Sequence, residues 1–519
     1  SSAASDVYKR QYINIISLMV AGIALTSCSD WLDVNPSDEI KEEYLFQTGD
    51  GYQTALNGIY RKMATFNLYG SNLTWGIIDA WGQAYSMKQA PTSGSGQAMH
   101  KIARLNFSNS ELTPTTDNMW TAAWNTIANC NELIQQTEKA DSTIFYKGNY
   151  ERQLILNEAI GLRAYMHFDL LRIYAPSPVT NPGDKTYIPY VNYYPAYVNE
   201  NISVDECLKH IISDLKTAQA ALFKLEGEKA VNLSASTRFQ LASSGKNLFF
   251  SLRGYRLNYW ATTALLARVY LYAGMKEEAY QEAKILIDEE NKHGFFKATT
   301  SSYSGPKDIE AGNIKMYENI IFGLYSPTEL TDWDAALNHA NDGQDESSQY
   351  YLCWDADMID QYFGEEKESD WRFKYQFESK YYGYYYRPLK YYKQSESSSF
   401  GPVNNQTIPM IRMSEIYYIA AECLADANDP EKLKAAKSYL KYVKQGRGIR
   451  KPDLDDITTK EQFMTALFND MRREFVGEGQ TLFMYKRLNK VLPSYDNGDL
   501  IPSNAIYVLP KPESESNIK

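Results

Sequence analysis

The sequence predicts a mainly α protein, in which antiparallel helix pairs stack into an α-α superhelical body with long irregular loops and small β elements. Apolar residues recur at helical spacing in long stretches, small residues recur where two such stretches must meet, and aromatic-rich segments without helical period lie between them. With 519 residues there is ample chain to bury a large core.

The N-terminal segment reads as an export signal and not as part of the fold. Residues 1–8 are rich in Ser and Ala and have no assigned role. Lys9 and Arg10 then precede Tyr12 to Leu25, a mostly apolar run too short to span a bilayer and suited to a signal-peptide core. The run closes on Leu25-Thr26-Ser27-Cys28, which resembles the lipobox of bacterial lipoproteins and implies acylation of Cys28. Several acyl chains on one cysteine anchor a protein stably where a single chain does not. Residues 1–27 are therefore expected to be an unassigned leader plus signal peptide. A short tether, Ser29 to Asp38, follows.

Helical periodicity then runs through Tyr52–Thr65, Asn118–Lys139, Tyr150–Tyr174, Val204–Leu225, Leu257–Tyr272, Glu277–Glu289, Ile411–Leu424, Glu431–Lys444 and Glu461–Phe475. In Tyr259 to Glu289, Leu266, Ala267 and Tyr270 precede a turn at Gly274, and Ala279, Ala283 and Leu286 follow it. This is tetratricopeptide spacing: small residues let two antiparallel helices approach, and such pairs stack because one pair cannot bury its face alone. Glu415 to Lys444 is a looser second unit around Asn428-Asp429-Pro430. Tyr150–Tyr174 and Val204–Leu225 form a third, interrupted by the Pro- and Tyr-rich excursion Ala175 to Asn201. Asn67–Asn109, Gly294–Ser348 and Trp371–Thr407 are irregular, with a strand-like Asn319 to Tyr325. Their aromatic content argues for ordered binding loops, because disordered chains are aromatic-poor.

Composition narrows the ligand. The net charge of -11 and pI near 5.2 leave no basic footprint for nucleic acid. The 42 tyrosines supply flat apolar faces with a hydroxyl attached. Cys28, Cys130, Cys207, Cys353 and Cys423 are dispersed and contain no CxxC pair, so neither a disulfide framework nor a zinc site is expected. The histidines His100, His167, His210, His293 and His339 form no local catalytic motif. Asp355, Asp357 and Asp360 have carboxylate spacing but lack the glycine and distal glutamate of a calcium loop. No metal or cofactor is expected.

Four further segments carry a family resemblance. Tyr150–Tyr174 (YERQLILNEAIGLRAYMHFDLLRIY) places a Glu and an Arg-Ala-aromatic run ahead of a Leu-Leu-x-x-Tyr helix end. Pro409–Glu422 (PMIRMSEIYYIAAE), Arg472–Arg487 (RREFVGEGQTLFMYKR) and Tyr507–Asn517 (YVLPKPESESN) follow in order. Together with the lipobox they resemble the SusD/RagB family of outer-membrane nutrient-binding lipoproteins, from Cys28 to the C-terminus. On that resemblance, 28–225 is the SusD-like N-terminal region and 226–519 the C-terminal region of one compact body. Arg412, Glu415, Glu422, Arg473, Glu474 and Glu478 are read as partly buried ion pairs that orient helices.

The resemblance implies a non-enzymatic, surface-exposed lipoprotein of the outer membrane. It would capture an oligosaccharide or polysaccharide and deliver it to a SusC-like TonB-dependent transporter. Two alternatives stay open, a peptide-binding RagB-like role and a helical-repeat scaffold for the transporter without ligand. A sugar site needs Trp or Tyr beside Asn, Asp, Gln or Arg, since a pyranose offers a C–H face to a ring while its hydroxyls seek hydrogen bonds. Two loops offer this mixture: Trp75, Asp79, Trp81, Gln83 and Tyr85 in the first, and Trp333, Asp334 and Asn338 in the second. Of these, Trp75, Asp79, Trp81, Tyr85, Trp333 and Asn338 are the expected ligand contacts. The run Tyr381 to Tyr392 is read two ways, as a stacking platform or as strand packing.

Overall fold

The computed structural model describes residues 42–93, 95–227, 238–239, 248–297, 309–310, 312–326, 338–339, 350–391, 400–425 and 429–516. Its contacts divide the chain into Ser1–Gln47, with the one-turn helix Glu42–Leu45, and Thr48–Lys519, which holds everything described below.

Helices begin where the sequence offers a cap. Ser203 accepts from the Glu206 N–H, Asn258 from Ala261 and Asp429 from Lys432, and Thr459 and Gln462 close a reciprocal capping box. Each supplies an acceptor for an N–H that the helix itself leaves without one. The resulting helices are Gly49–Met63, Thr113–Lys139, Asn149–Tyr174, Val204–Leu222, Tyr259–Tyr272, Lys276–His293, Met413–Cys423, Pro430–Gln445 and Lys460–Glu474. Each packs on the next in chain order, so the stack grows from its N-terminal end toward its C-terminal end. Gly274, at φ 78°, reverses the chain between Tyr259–Tyr272 and Lys276–His293. Val204–Leu222 packs directly on Tyr259–Tyr272, across the 225/226 boundary drawn from the sequence.

Asn149–Tyr174 is buried along nearly its whole length despite its charges. Four of these charges are ion-paired: Arg253 reaches Glu158 at 2.8 Å, Arg163 reaches Asp214 at 2.8 Å, and Asp169 pairs with Arg172. Gly161 leaves room where this helix meets Leu257: a Cβ there would stand 2.7 Å from the end of the Leu257 side chain, which would have to shift.

The small β elements gather where helical period fails. Ile320–Tyr325 pairs antiparallel with Thr407–Arg412, and Trp354–Asp355, Tyr385–Pro388 and Phe377–Lys380 form a three-stranded sheet with Tyr385–Pro388 in the centre. Ile411 was expected to open a helix; it lies in the buried strand Thr407–Arg412, and the helix starts at Met413. Ile408, Pro409 and Ile411 favour extended backbone, and the Ile320–Tyr325 strand supplies the ladder. Asn67–Asn109, expected to be irregular, contains the short helices Ile77–Trp81 and Ser95–Ala103. Among the described residues, no helix is long and apolar enough to cross a membrane.

Candidate functional site

The first expected loop lies in the interior. Trp75 and Trp81 are 0% exposed, and Asp79 and Tyr85 are buried with them. The Trp75 indole donates to the Gly70 carbonyl at 2.9 Å and the Trp81 indole to the Ile506 carbonyl at 2.7 Å. Asp79 accepts from the backbone N–H groups of Gly477 at 2.8 Å and Gly479 at 3.1 Å, and from the Tyr85 hydroxyl at 3.3 Å. Burial pushes the Asp79 carboxyl up to about 7, against the pull of the Gly477 hydrogen bond. Gln83 is likewise consumed, between the Ala103 carbonyl and the Ser494 hydroxyl. The expectation that Trp75, Asp79, Trp81 and Tyr85 contact ligand is therefore corrected. Their ring faces and polar atoms are spent on fastening this segment to the Gly477-Glu478-Gly479 turn and the C-terminal segment. A sugar could stack on them only by opening the core.

Of the second loop, Trp333 and Asp334 lie outside the described residues, as does Cys28. Asn338 belongs to the two-residue strand Asn338–His339, paired antiparallel with Tyr350–Tyr351. The three aspartates weighed for calcium go to different partners: Asp355 to Lys88 at 2.9 Å, Asp357 to the Tyr495 hydroxyl, and Asp360 to Lys367 at 3.1 Å.

The charged residues of the family-like segments form a buried framework. Glu474, 1% exposed, receives the guanidinium of Arg412, that of Arg447 at 2.6 Å and that of Arg372 at 3.1 Å. These cations hold its carboxyl well below the usual range despite burial. Glu478 bridges Lys390 at 2.6 Å and Arg412 at 2.8 Å, Arg268 grips Glu415 at 2.6 Å, and Glu422 pairs with Arg487. Arg473 reaches Glu366 at 2.6 Å and Asp370 at 3.2 Å. Lys486 is buried and caps the carbonyls of Arg172 and Tyr507, joining the Asn149–Tyr174 helix to the C-terminal segment. All of this is architecture: every pair fastens one element of the body to another.

An aromatic surface does face solvent, at the hairpin between Phe377–Lys380 and Tyr385–Pro388. Tyr382 is 92% exposed, Tyr384 63% and Tyr381 38%. Ring centroids of Tyr381 lie 5.7 Å from Tyr382, 5.8 Å from Tyr384 and 6.4 Å from Tyr385. The turn displays them at a cost, since Tyr381 (φ 47°) and Tyr382 (φ 55°) both adopt left-handed backbone ahead of Gly383 (φ 84°). A left-handed residue with a Cβ is strained by roughly 1–2 kcal/mol, and strain of this kind concentrates at functional surfaces. The hairpin has a rigid base: Tyr386 packs on Phe373 at 5.4 Å, and Trp354, its partner in the ladder, lies against Phe363 and Phe377. The Ala356 N–H donates to the Tyr384 carbonyl at 3.0 Å, and the next residue, the exposed Asp357, accepts from the Tyr495 hydroxyl. Lys88 lies over Tyr495 at 5.0 Å from the ring centroid. The tyrosine run thus divides: its first residues form an exposed platform, whereas Tyr386 and Tyr391 pack inward. Strand alternation explains part of the division, and the left-handed turn explains the rest.

Comparison with known proteins bears on the whole chain. A family model described as the SusD family matches residues 316–513, and a second, described as "Starch-binding associating with outer membrane", matches residues 30–239. A SusD-like protein of Formosa agariphila is 20% identical over 93% of this chain and 92% of its own length. Among solved structures, a SusD superfamily protein of Bacteroides thetaiotaomicron superposes with a TM-score of 0.65 at 21% identity, covering 91% of this chain and 98% of that one. A putative sugar binding protein of Bacteroides vulgatus gives 0.65 at 22% identity, covering 91% and 97%. A laminarin binding SusD-like protein gives 0.59 at 15%, covering 91% and 97%. With two family models placed in order along it, the same fold in its structural relatives and the signature charges paired across its core, the chain belongs to the SusD/RagB family.

Proposed function

We propose that this protein is a glycan-binding lipoprotein of the cell surface. Anchored through Cys28, it captures oligosaccharides and hands them to a SusC-like TonB-dependent transporter in the outer membrane. It acts by binding and not by catalysis. The observation that carries the reading is the exposed tyrosine platform, Tyr381, Tyr382 and Tyr384, with the backbone next to Asp357 hydrogen-bonded to it at Tyr384. Flat faces for C–H stacking and adjacent polar groups are what a sugar requires, and stiff backbone presents them without ordering cost on binding. The family description and the laminarin-binding relative support the ligand class. Two or three stacked rings and several hydrogen bonds, each contributing about 0.5–1.5 kcal/mol net, give affinities in roughly the micromolar to millimolar range once association costs are subtracted.

The test is affinity gel electrophoresis of Ser29–Lys519 on starch, laminarin, xylan and galactomannan, with a Tyr382→Gly variant alongside. Retardation on one polysaccharide that the variant loses supports the reading. Binding only to a peptide pool, or to no polymer, overturns it. For the anchor, Cys28→Ser should move the full chain from the outer-membrane fraction to the soluble one.

A further inference from the structure

A cleft lies between the helix Thr113–Lys139 and the excursion that interrupts the helix pairs. It encloses about 730 Å³, within the roughly 300–1,000 Å³ typical of small-ligand sites. One wall is a face of Thr113–Lys139, where Trp120 and Trp124 stand one turn apart with centroids 5.5 Å apart, and exposed Asn125 lies beside them. The Trp124 indole N–H is buried and has no acceptor among the described residues.

The facing wall is Pro189 to Asn201, and it is fixed. Asn131 donates to the Val191 carbonyl at 3.0 Å and the Tyr193 carbonyl at 3.4 Å, and Gln135 donates to the Tyr194 carbonyl at 2.7 Å. The Val191 N–H donates to His167 Nε2 at 3.0 Å, and burial keeps that imidazole neutral by pushing its pKa down to about 3. On this rigid wall Tyr197 is 78% and Val198 79% exposed, with the amides of Asn199 and Asn201 next to them. Together with the Trp120–Trp124 face they line one cleft, with stacking faces and amides on both walls.

We infer that this cleft is a second oligosaccharide site, one that accepts a segment of a neutral glycan between the Trp124 and Tyr197 rings. The inference rests on the glycan reading above. Uncharged residues dominate the lining, and its ionic groups are one lysine, Lys511, and one glutamate, Glu515, so a polyanion finds no cluster of cations. An extended peptide is disfavoured for a different reason. The carbonyls of Val191, Tyr193 and Tyr194 are engaged by Asn131 and Gln135, which removes the strand edge a peptide would pair with. Two sites on one body would let a long polymer bind with higher avidity than its short fragments.

The experiment uses Ser29–Lys519 on the same four polysaccharides, with the double variant Tyr197→Ala/Asn201→Ala, both residues exposed, and with Trp124→Phe, which keeps a ring and removes the N–H. On whichever polymer the parent protein binds, the double variant should weaken retention about tenfold and Trp124→Phe severalfold, with melting unchanged for the double variant. Polymer addition should also shift tryptophan emission in the Tyr382→Gly protein, where the hairpin platform is lost. Parent-like retention by both cleft variants, with Tyr382→Gly alone impaired, would overturn the second site and leave the glycan reading standing. Absence of binding by the parent protein to all four polymers would overturn both.

Discussion

Replacing Tyr382 with glycine should weaken binding and leave the protein at least as stable, a combination expected only of a residue kept for its ligand. The ring is 92% exposed, so its removal opens no cavity. Its backbone sits at φ 55°, where glycine avoids a penalty of roughly 1–2 kcal/mol and gives back about 0.5–1 kcal/mol in unfolded-state entropy. The net lies between zero and a gain of about 1.5 kcal/mol. For binding, a sugar covering about a third of a tyrosine's roughly 150–250 Å² removes ~50–80 Å² from water. At ~25 cal/mol per Å² this is about 1.2–2 kcal/mol, a loss of roughly 10–30-fold in Kd. Urea midpoints report the first quantity, and affinity electrophoresis or titration calorimetry reports the second. Trp81→Ala is the counterpart: a fully buried indole with a carbonyl partner should cost about 3–5 kcal/mol, and whatever protein stays folded should retain its affinity. Unchanged affinity in Tyr382→Gly, or a loss of stability beyond about 1 kcal/mol, would refute the assignment of this ring to ligand.

Glu474→Gln removes the charge on which Arg412, Arg447 and Arg372 converge and should cost about 3–5 kcal/mol, read as a lowered urea midpoint at neutral pH. Because the folded Glu474 carboxyl is held well below its ordinary 4.5, its contribution is fully present above that pH and is lost as pH falls through the lower folded value. The parent and variant curves should therefore converge only below about pH 4.5, and convergence nearer neutrality would contradict the network. Gly479→Ala places a Cβ 2.2 Å from the Leu73 carbonyl at φ 66° and should cost about 2–4 kcal/mol, whereas Gly274→Ala, at φ 78° in open space, should cost about 1–2 kcal/mol; melting of the two variants side by side separates clash from backbone strain.

The helices were legible because helix formation is local. Apolar spacing near 3.6 and caps such as Thr459 with Gln462 lie within a few residues of what they control. The same locality made Gly274 readable as a turn. The likeness of Arg412 and Glu474 to family positions marked them as an ion-pair framework, but which guanidinium meets which carboxylate is a matter of chain crossing, these two being 62 positions apart. Burial in the irregular segments was not legible at all. Trp75 and Trp81 carry the composition of a sugar platform, and only the docking of their segment onto Gly477 and Gly479, some 400 residues away, turns them inward. Tyr381 to Tyr386 reads as one uniform aromatic run, yet the left-handed turn at Tyr381 and Tyr382 divides it into a displayed surface and a packed base. By itself the sequence determined what neighbouring residues decide through shared backbone geometry: the helices, their caps, the turn at Gly274 and the family signature. Which aromatic rings meet water was decided only by tertiary structure, because exposure depends on what the rest of the chain lays over each ring.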